Sequence, residues 1–572
     1  MAASAGCGPS APAARDLEPN PHGERQIVEV DLRGSLEESE GEPFSRRSSL
    51  RQRLAMLEEV RRDADVIGLV VFIGDLETGL TKVEDLVAAF GSVRRSGRKV
   101  YCGIDTASNI EMLLAAGACD HVSVTPGGGV ELTGVAADVV FLRSALGSLG
   151  VEADVVRAGA YKDAFEPLTR DEMSPQMRES LGALMDDTFA VLVDGVARGR
   201  RLPEATVRGL LDRGLFDPEG ARAAGLVDSV RFPDALRYLA RKELRGKIAK
   251  NWGRERRDAG ADDVSKLVRS LAGEPSPPSP KEPHLAVVYV TGVITSGDDE
   301  AGLFADEAAS ARALTKALDR ARRDAATKAV VLRIDSPGGS APASDLIWRA
   351  VDRVRRNKPI VASMSDTAAS GGYYVAAGAT KIVAQPSTVT GSIGVISAKI
   401  VAKGLADRLG VHVESISRGA MADLGSPFRR WTPDERRALE GITSSVYSLF
   451  LRRVAAGRGP RIPTEARVRE VAEGRVWTGR RALGLGLVDR LGGLEDAMAL
   501  ARRLGKLPAS CPIEVLPQPT GLLQRLVGGD PAARAWIGSL PVPLPLRRAA
   551  ATVELLEREQ MLAVMPFSLH FR

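Results

Sequence analysis

One serine in this sequence is well placed for nucleophilic chemistry. Ser370 lies between Ala369 and the pair Gly371-Gly372, directly after an apolar run that predicts a strand. Because glycine has no side chain, such a turn exposes the serine hydroxyl and lets the backbone approach a substrate carbonyl closely. Acyl-transfer enzymes stabilise the resulting oxyanion with two backbone N–H groups. We therefore predict that Ser370 is the nucleophile of an acyl-transfer reaction.

Two further glycine-containing turns belong to the same half of the chain. They are DSPGG at 335–339 and TGSIG at 390–394. The backbone N–H of Gly371 and that of Gly339, or alternatively Gly338, are the predicted oxyanion donors. A short motif of this kind is weak evidence when it stands alone, since ordinary strand–helix turns have the same composition.

The two halves of the chain repeat each other. DTAS at 105–108 returns as DTAA at 366–369, and GLVD at 225–228 returns at 486–489, both 261 positions later. A spacing that persists over more than a hundred residues predicts two copies of one domain. A stretch rich in proline and serine at 274–280 lies between the copies and has the composition of a linker.

The repeat also indicates which residue activates the serine. Ser370 corresponds to Asn109 in the first copy, whereas Lys162, after a one-residue gap, corresponds to Ala422 in the second. Each copy therefore carries one of the two groups. A serine needs a base, and lysine can serve if burial lowers its pKa from about 10.4 toward neutrality. We predict that Lys162 is the general base for Ser370, in a site built by both copies.

The elements that must position these groups alternate along the chain. Short apolar runs such as 330–334 and 359–364 predict strands, with helical spacing at 343–355 between them and again at 434–453. This alternation predicts an α/β fold with mainly parallel sheets. The predicted divisions are a poorly ordered arm at 1–55, a first domain at 56–250, a linker at 251–283, a second domain at 284–505 and a C-terminal extension at 506–572.

Composition excludes several other classes of protein. The chain has 572 residues, and its 78 basic and 73 acidic residues nearly balance, which argues against a nucleic-acid binder. Its four cysteines are far apart and are predicted to be isolated reduced thiols. No HExxH or comparable pattern occurs, so no metal or cofactor is predicted. No segment reaches the ~18 apolar residues that predict a membrane span.

Taken together, the motifs DSPGG, TAASGGYYVA, TGSIGV and GAYKDAFEP resemble the long form of the signal peptide peptidase A (protease IV) family, peptidase family S49, over roughly residues 60 to 500. The resemblance implies tandem crotonase-like domains, a fold shared with Clp protease. It implies that Lys162 and Ser370 form a dyad, that Ser392 orients the lysine, and that Gly338, Gly339 and Gly371 supply the oxyanion hole. The implied substrates are apolar peptides such as cleaved signal peptides.

The same resemblance carries expectations about assembly and location. It implies a homo-tetramer in a bacterium, associated with the membrane. Family members commonly carry an N-terminal anchor, and none is visible in this sequence, so we expect a soluble or peripheral protein. The apolar run at 561–567 could contact a membrane surface, a neighbouring subunit or its own domain.

Two other functions remain open on the sequence alone. A crotonase-like enzyme acting on acyl-CoA thioesters would share the glycine turns but would use a Glu or Asp acid/base and no serine nucleophile. A non-catalytic scaffold would use the duplicated fold for assembly only. Labelling of Ser370 by an acylating probe separates the first from a peptidase, and the effect of Lys162→Ala on activity separates the second.

Overall fold

The computed structural model describes residues 24–38, 48–250, 252, 280–297, 308–517 and 561–565 of the chain. Within them the strands form three large sheets and one two-stranded sheet, which consists of β2 (Leu36–Glu37) and β3 (Ser48–Ser49). Helices separate most consecutive strands, as the alternating sequence pattern predicts. The α/β prediction is confirmed.

The first sheet has seven strands in the order β10-β1-β4-β5-β6-β8, with β9 also paired to β6. All of its pairs are parallel except β6 with β8. Its central strands are runs of Val, Ile and Leu buried on both faces, as is usual for parallel sheets. Its strands are β1 (Gln26–Arg33), β4 (Val66–Gly74), β5 (Lys99–Ala107), β6 (His121–Leu132), β8 (Gly214–Phe216), β9 (Ser229–Val230) and β10 (Lys247–Ala249).

The second sheet repeats the arrangement of the first. Its order is β20-β18-β16-β14-β11-β22, with β17 paired to β16 and β21. The shared strand order matches the internal repeat of the sequence. Its strands are β11 (His284–Thr291), β14 (Thr327–Ser336), β16 (Ile360–Ala369), β17 (Lys381–Ala384), β18 (Val389–Gly391), β20 (Val476–Thr478), β21 (Arg490–Leu491) and β22 (Ile513–Leu516).

The third sheet joins the two halves of the chain. Its order is β13-β12-β15-β23-β19-β7. The strand β7 from the first half pairs antiparallel with β19 from the second, from Ala158 opposite Val395 to Glu152 opposite Val401. Its strands are β7 (Glu152–Ala158), β12 (Val293–Thr295), β13 (Ala308–Ser310), β15 (Gly338–Ser340), β19 (Val395–Val401) and β23 (Leu562–Val564).

The helices follow the same division. Those of the first half are α1 (Leu50–Arg62), α2 (Leu80–Arg95), α3 (Asn109–Ala118), α4 (Arg143–Leu149), α5 (Glu166–Thr169), α6 (Pro175–Arg200), α7 (Glu204–Arg213), α8 (Pro218–Ala223) and α9 (Pro233–Leu244). Those of the second are α10 (Ala311–Arg323), α11 (Ala341–Arg355), α12 (Gly371–Ala376), α13 (Lys403–Arg408), α14 (Pro433–Arg458), α15 (Glu465–Val471), α16 (Gly479–Gly484) and α17 (Leu494–Leu504), with a 3₁₀ turn at Gly459–Arg461. Among the described residues, no helix is both long and apolar enough to cross a bilayer.

The long helix predicted at 434–453 is α14, and it extends to Arg458. Thr432 caps its start: the hydroxyl accepts a hydrogen bond from the backbone N–H of Glu435, and that carboxylate accepts one from the N–H of Thr432. The helical spacing of Leu439, Ile442, Val446 and Leu449 predicts that they share one apolar face, and this prediction is only partly right. Leu439 is buried, but Ile442 is 49% exposed, and the buried face continues instead through Tyr447 and Phe450.

Both predicted outer boundaries were wrong. The strand β1 lies between β10 and β4, inside the predicted poorly ordered arm, because its alternating apolar residues are buried although charged residues separate them. At the other end β22 pairs with β11, so the second sheet continues beyond residue 505. The rest of the arm before residue 24, most of the linker and residues 518–560 lie outside the described residues.

The prediction of isolated thiols was also wrong. Cys102 on β5 and Cys119, directly after α3, form a disulfide with their Cα atoms 5.9 Å apart. The helix returns beside the strand from which it departs, so it brings together two cysteines that are 17 positions apart in sequence. Such a contact depends on tertiary structure and has no spacing signature. Cys511 is a buried free thiol.

A buried group of ion pairs connects the two halves near the serine turns. Lys82 on α2 contacts Asp366 at 2.6 Å and Asp335 at 3.2 Å, both at the carboxyl ends of second-sheet strands. Arg333, fully buried on β14, pairs with Glu38 from the N-terminal segment. Because removal of one partner would leave a buried charge unpaired, these contacts fix the halves against each other.

Candidate active site

Ser370 lies at the sharp turn between β16 and α12. Its φ is +53°, a conformation that residues other than glycine rarely adopt. The turn is held by its backbone, since the N–H of Ser370 donates to the carbonyl of Gly391 at 2.8 Å and its own carbonyl accepts from Tyr374 at 2.8 Å. Strain of this kind persists only where the surrounding structure imposes it, which is common at functional sites.

Lys162 reaches this serine from the other half of the chain. It lies in the turn between β7 and α5, and its Nζ is 2.7 Å from Ser370 Oγ. The same Nζ lies 2.9 Å from the carbonyl oxygen of Ser392 and 3.0 Å from its Oγ. The three side chains are fully buried. The structure therefore brings together the three polar side chains that the sequence selected.

Burial determines the charge state of the lysine. Desolvation lowers the pKa of Lys162 to about 7, against the opposing effect of the neighbouring Asp163. Asp163 is itself buried, and burial raises the pKa of its carboxyl group to about 7. Near neutral pH a substantial fraction of Lys162 is therefore a neutral amine with a free lone pair, which is what a general base requires.

The three predicted oxyanion glycines lie side by side. Gly338 has φ +100°, and a Cβ added there would lie 2.7 Å from the backbone nitrogen of Gly371. A Cβ on Gly339 would lie 2.1 Å from the carbonyl oxygen of Ile294. No side chain fits at either position, so glycine is required for this close approach. The DSPGG turn and the N-terminus of α12 thus face a common point beside Ser370.

Ser392 lies in a second strained turn, with φ +51°. Its backbone N–H donates to the carbonyl of Arg475 at 2.6 Å. With its carbonyl and hydroxyl both directed at Lys162 Nζ, this residue supplies two acceptors to the amine. The orienting role expected for Ser392 stays a prediction.

A segment that the sequence analysis missed holds the lysine turn in place. The carbonyl of Glu473 accepts from Tyr161 N at 2.7 Å, and its carboxylate accepts from Ala160 N at 3.1 Å. The guanidinium of Arg475 lies 3.9 Å from the centre of the Tyr161 ring. Gly474 is so close that an added Cβ would lie 2.4 Å from Lys162 N. Nothing in the sequence distinguishes this glycine from those of ordinary turns.

Comparison with known proteins gives the family of the chain. The family model described as peptidase family S49 matches the chain twice, at residues 92–246 and 352–507. The chain belongs to peptidase family S49. It is a serine-type peptidase, and the two matches agree with the tandem duplication inferred from the repeat.

Two relatives resemble the chain over most of its length. The chloroplastic serine protease SPPA of Arabidopsis thaliana is 30% identical over 508 residues, which covers 88% of this chain and 73% of the relative. Protease 4 of Salmonella typhi is 30% identical over 510 residues, which covers 87% and 79% respectively. A solved structure of the 1510-N membrane-bound stomatin-specific protease aligns with a TM-score of 0.27 at 15% identity, over 42% of this chain and 100% of that one.

Gly474→Ala tests the importance of the segment behind the lysine. The new Cβ must push back the Lys162 backbone, and a displacement of about 1 Å at a catalytic group costs about 10²-fold in rate. We expect peptidase activity to fall by about that factor, measured as kcat/KM. Gly484→Ala is the matched control, because no atom lies within 4 Å of its added Cβ. Equal activity of both variants and the wild type would contradict the argument.

Proposed function

We propose that the chain is a serine endopeptidase in which Ser370 is the nucleophile and Lys162 the general base. The observation that carries this proposal is the 2.7 Å contact between Lys162 Nζ and Ser370 Oγ, in a buried site where the pKa of the lysine is lowered to about 7. Among the described residues, no histidine contacts Ser370. Ser392 orients the amine, and the backbone N–H groups of Gly371 and Gly339, the latter next to Gly338, form the oxyanion hole.

The contacts of the amine account for its role as a base. A neutral amine has two N–H donors and one lone pair. The two donors satisfy the carbonyl and hydroxyl of Ser392, so the lone pair is left for the Ser370 O–H. Ser370 Oγ attacks the peptide carbonyl as its proton passes to Lys162, which then protonates the leaving amine. Water hydrolyses the acyl-enzyme by the reverse proton transfers.

The two halves, from β1 to β10 and from β11 to β22, are proposed to be tandem crotonase-like domains. Their sheets have the same strand order, and the serine turn after β16 corresponds to the turn after β5, where Asn109 takes the place of Ser370. The proposed substrates are apolar peptides such as cleaved signal peptides. Supporting this class, an apolar group of side chains that includes Phe165, Leu168 and Ile396 lies next to the lysine turn.

The decisive experiment compares hydrolysis of an apolar peptide by the wild type, Ser370→Ala and Lys162→Ala. Each substitution removes one member of a unit that acts together, so each should lower kcat by roughly 10⁴-fold or more. Lys242→Ala, at an exposed lysine of α9 outside the site, is the control. Unchanged activity in all variants would eliminate the dyad, while thioester hydrolysis without labelling of Ser370 would favour an acyl-CoA enzyme.

The pH dependence should report the lysine. Because only the neutral amine acts as a base, kcat/KM should rise with pH through an apparent pKa of about 7 and then level off. The charge of Asp163 raises the pKa of Lys162, so Asp163→Asn should move the rise in kcat/KM to lower pH. The same substitution at the exposed Asp171 should leave the pH of this rise unchanged. A limb near pH 10, typical of a solvated lysine, would contradict the assignment.

A homo-oligomer, proposed to be a tetramer, is supported by two segments that correspond to paired strands in the repeat but lack partners within the described residues. In this chain β7 pairs with β19 across the two halves. The repeat relates β7 to residues 412–418 and β19 to residues 135–141, and neither segment pairs with a strand within the described residues. Val413 and Ile416 are 45% and 90% exposed. The second half of one subunit can therefore pair with the first half of a neighbouring subunit. A head-to-tail contact of this kind can close into a ring.

The double variant Val413→Glu, Ile416→Glu tests this interface. Two carboxylates in the segment 412–418 should prevent it from pairing with a neighbouring subunit. The particle mass should then fall to that of one chain, 60.7 kDa. Light scattering after size exclusion measures that mass. Leu346→Glu, which alters a 59% exposed leucine on α11, should leave the assembly intact. A wild type that already has the mass of one chain would contradict the proposal.

A further inference from the structure

Three side chains that can bind a metal meet at the amino ends of second-sheet strands, on the side opposite to the candidate active site. His284 begins β11, Asp324 directly follows α10, and Glu514 lies on β22. They come from distant parts of the chain, so no local motif in the sequence indicates them. The strand β14 runs from this end of the sheet to the DSPGG turn over ten residues, which separates the two sites by about 30 Å at ~3.3 Å per residue.

The three side chains direct one atom each to a common point. His284 Nε2 is 3.4 Å from Asp324 Oδ2 and 3.4 Å from Glu514 Oε2. One ligand atom from each residue lies within 4.8 Å of the other two. Tetrahedral ligands at the usual zinc distances of about 2.0–2.2 Å are about 3.3–3.6 Å from one another. The two separations of 3.4 Å are therefore those expected for two edges of a zinc site.

The imidazole of His284 has the orientation that a metal ligand needs. Its Nδ1 lies 2.9 Å from the carbonyl oxygen of Glu282. A carbonyl oxygen can only accept a hydrogen bond, so Nδ1 carries a proton. In the neutral ring Nε2 then offers its lone pair, and a backbone carbonyl that holds the other nitrogen is the usual outer contact of a metal-binding histidine. The ring is fully buried and cannot turn away to solvent.

The hydroxyl of Thr327 indicates a missing positive charge at this point. Thr327 Oγ1 lies 2.9 Å from His284 Nε2 and 2.9 Å from Asp324 Oδ2, and it has one hydrogen to donate. With a neutral ring, one of these two short contacts brings lone pairs together. A cation bound to Nε2 and Oδ2 removes this repulsion, and the hydroxyl then donates to Asp324. A second proton on the ring would also remove it, but that ring would bind no metal.

The outer oxygens of the two carboxylates are held in place as well. Asp324 Oδ1 accepts a hydrogen bond from the backbone N–H of Ala326 at 2.9 Å. Glu514 Oε1 accepts one from Arg320 at 2.7 Å. The remaining oxygen of each carboxylate is the one that faces His284. Outer contacts of this kind orient the ligands of metal sites. The side chain of Asp324 is 23% exposed, so an ion can enter from its side.

We propose that His284, Asp324 and Glu514 bind one Zn²⁺ ion, with a water molecule as the fourth ligand on the exposed side of Asp324. One imidazole and two carboxylates suit zinc, whereas calcium and magnesium sites are built from oxygen ligands. The ion joins the start of β11 and the end of α10 to β22, the outermost strand of its sheet. Its role is to stabilise the second half of the chain, and the proposal does not rest on the proposed function.

Zinc content and thermal stability test the proposal. The chain is purified without a histidine tag, stripped with EDTA, incubated with ZnCl₂ and separated from free metal by gel filtration. Mass spectrometry of the elements should then find one zinc ion per chain. The melting temperature should be about 5 °C higher in excess zinc than for the stripped chain, because the ion binds only the folded state.

Matched variants identify the ligands. Asp324→Asn and Glu514→Gln keep the size of each side chain but remove its charge, so each should weaken zinc binding by about 100-fold or more. Asp319→Asn is the control, since Asp319 lies on α10, is 26% exposed and pairs with Arg322 outside the site. It should bind zinc like the wild type. Equal zinc binding by all four chains, or loss of zinc from the control, would contradict the assignment.

X-ray absorption at the zinc edge of the wild type identifies the ligands without any variant. We expect one imidazole nitrogen and otherwise oxygen. A sulfur ligand would assign the ion to the free thiol of Cys511 and overturn the proposal. A wild type that retains no zinc would overturn it in favour of a doubly protonated ring. Stripping should leave peptidase activity unchanged at a temperature where the stripped chain stays folded, so a failure of the Ser370 and Lys162 dyad would not affect this result.

Discussion

The site depends on shielding one amine, that of Lys162, from water. The role of base that we propose for Lys162 requires burial, which lowers its pKa to about 7, because a lysine exposed to water would remain charged. The surrounding structure serves that condition. Two strained serine turns, a glycine packed against the lysine backbone and an interface between two halves of the chain all close the space around a single nitrogen atom, 2.7 Å from Ser370 Oγ.

The junction between the halves must therefore be rigid. An apolar core that contains Val71 and Ile104 of the first sheet also contains Val287 and Val331 of the second. The buried contacts of Lys82 with Asp335 and Asp366 add directional constraints beside the nucleophile turn. Breaking one of these pairs would leave an uncompensated charge in the interior, which disfavours other arrangements of the halves.

The fold class and two of the site residues could be predicted from the sequence, because the duplication allows one half of the chain to be compared with the other. Ser370 and Lys162 stood out since each is absent from the other copy, and the alternating pattern indicated the α/β fold. The remaining features depend on contacts between distant segments. The charged strand β1, the disulfide of Cys102 with Cys119 and the approach of Gly474 to Lys162 have no local signature, because tertiary packing alone brings their partners together.

The order of the two groups along the chain has a consequence for synthesis. Lys162 leaves the ribosome before Ser370, and the loop that the amine contacts, at Ser392, follows later still. In the proposed dyad, a nascent chain with only its first half folded holds the base but not the serine that it would activate. With that assignment, peptidase activity can arise only when translation of the second half is nearly complete, so the order of the two groups along the chain delays activity until the chain is almost whole.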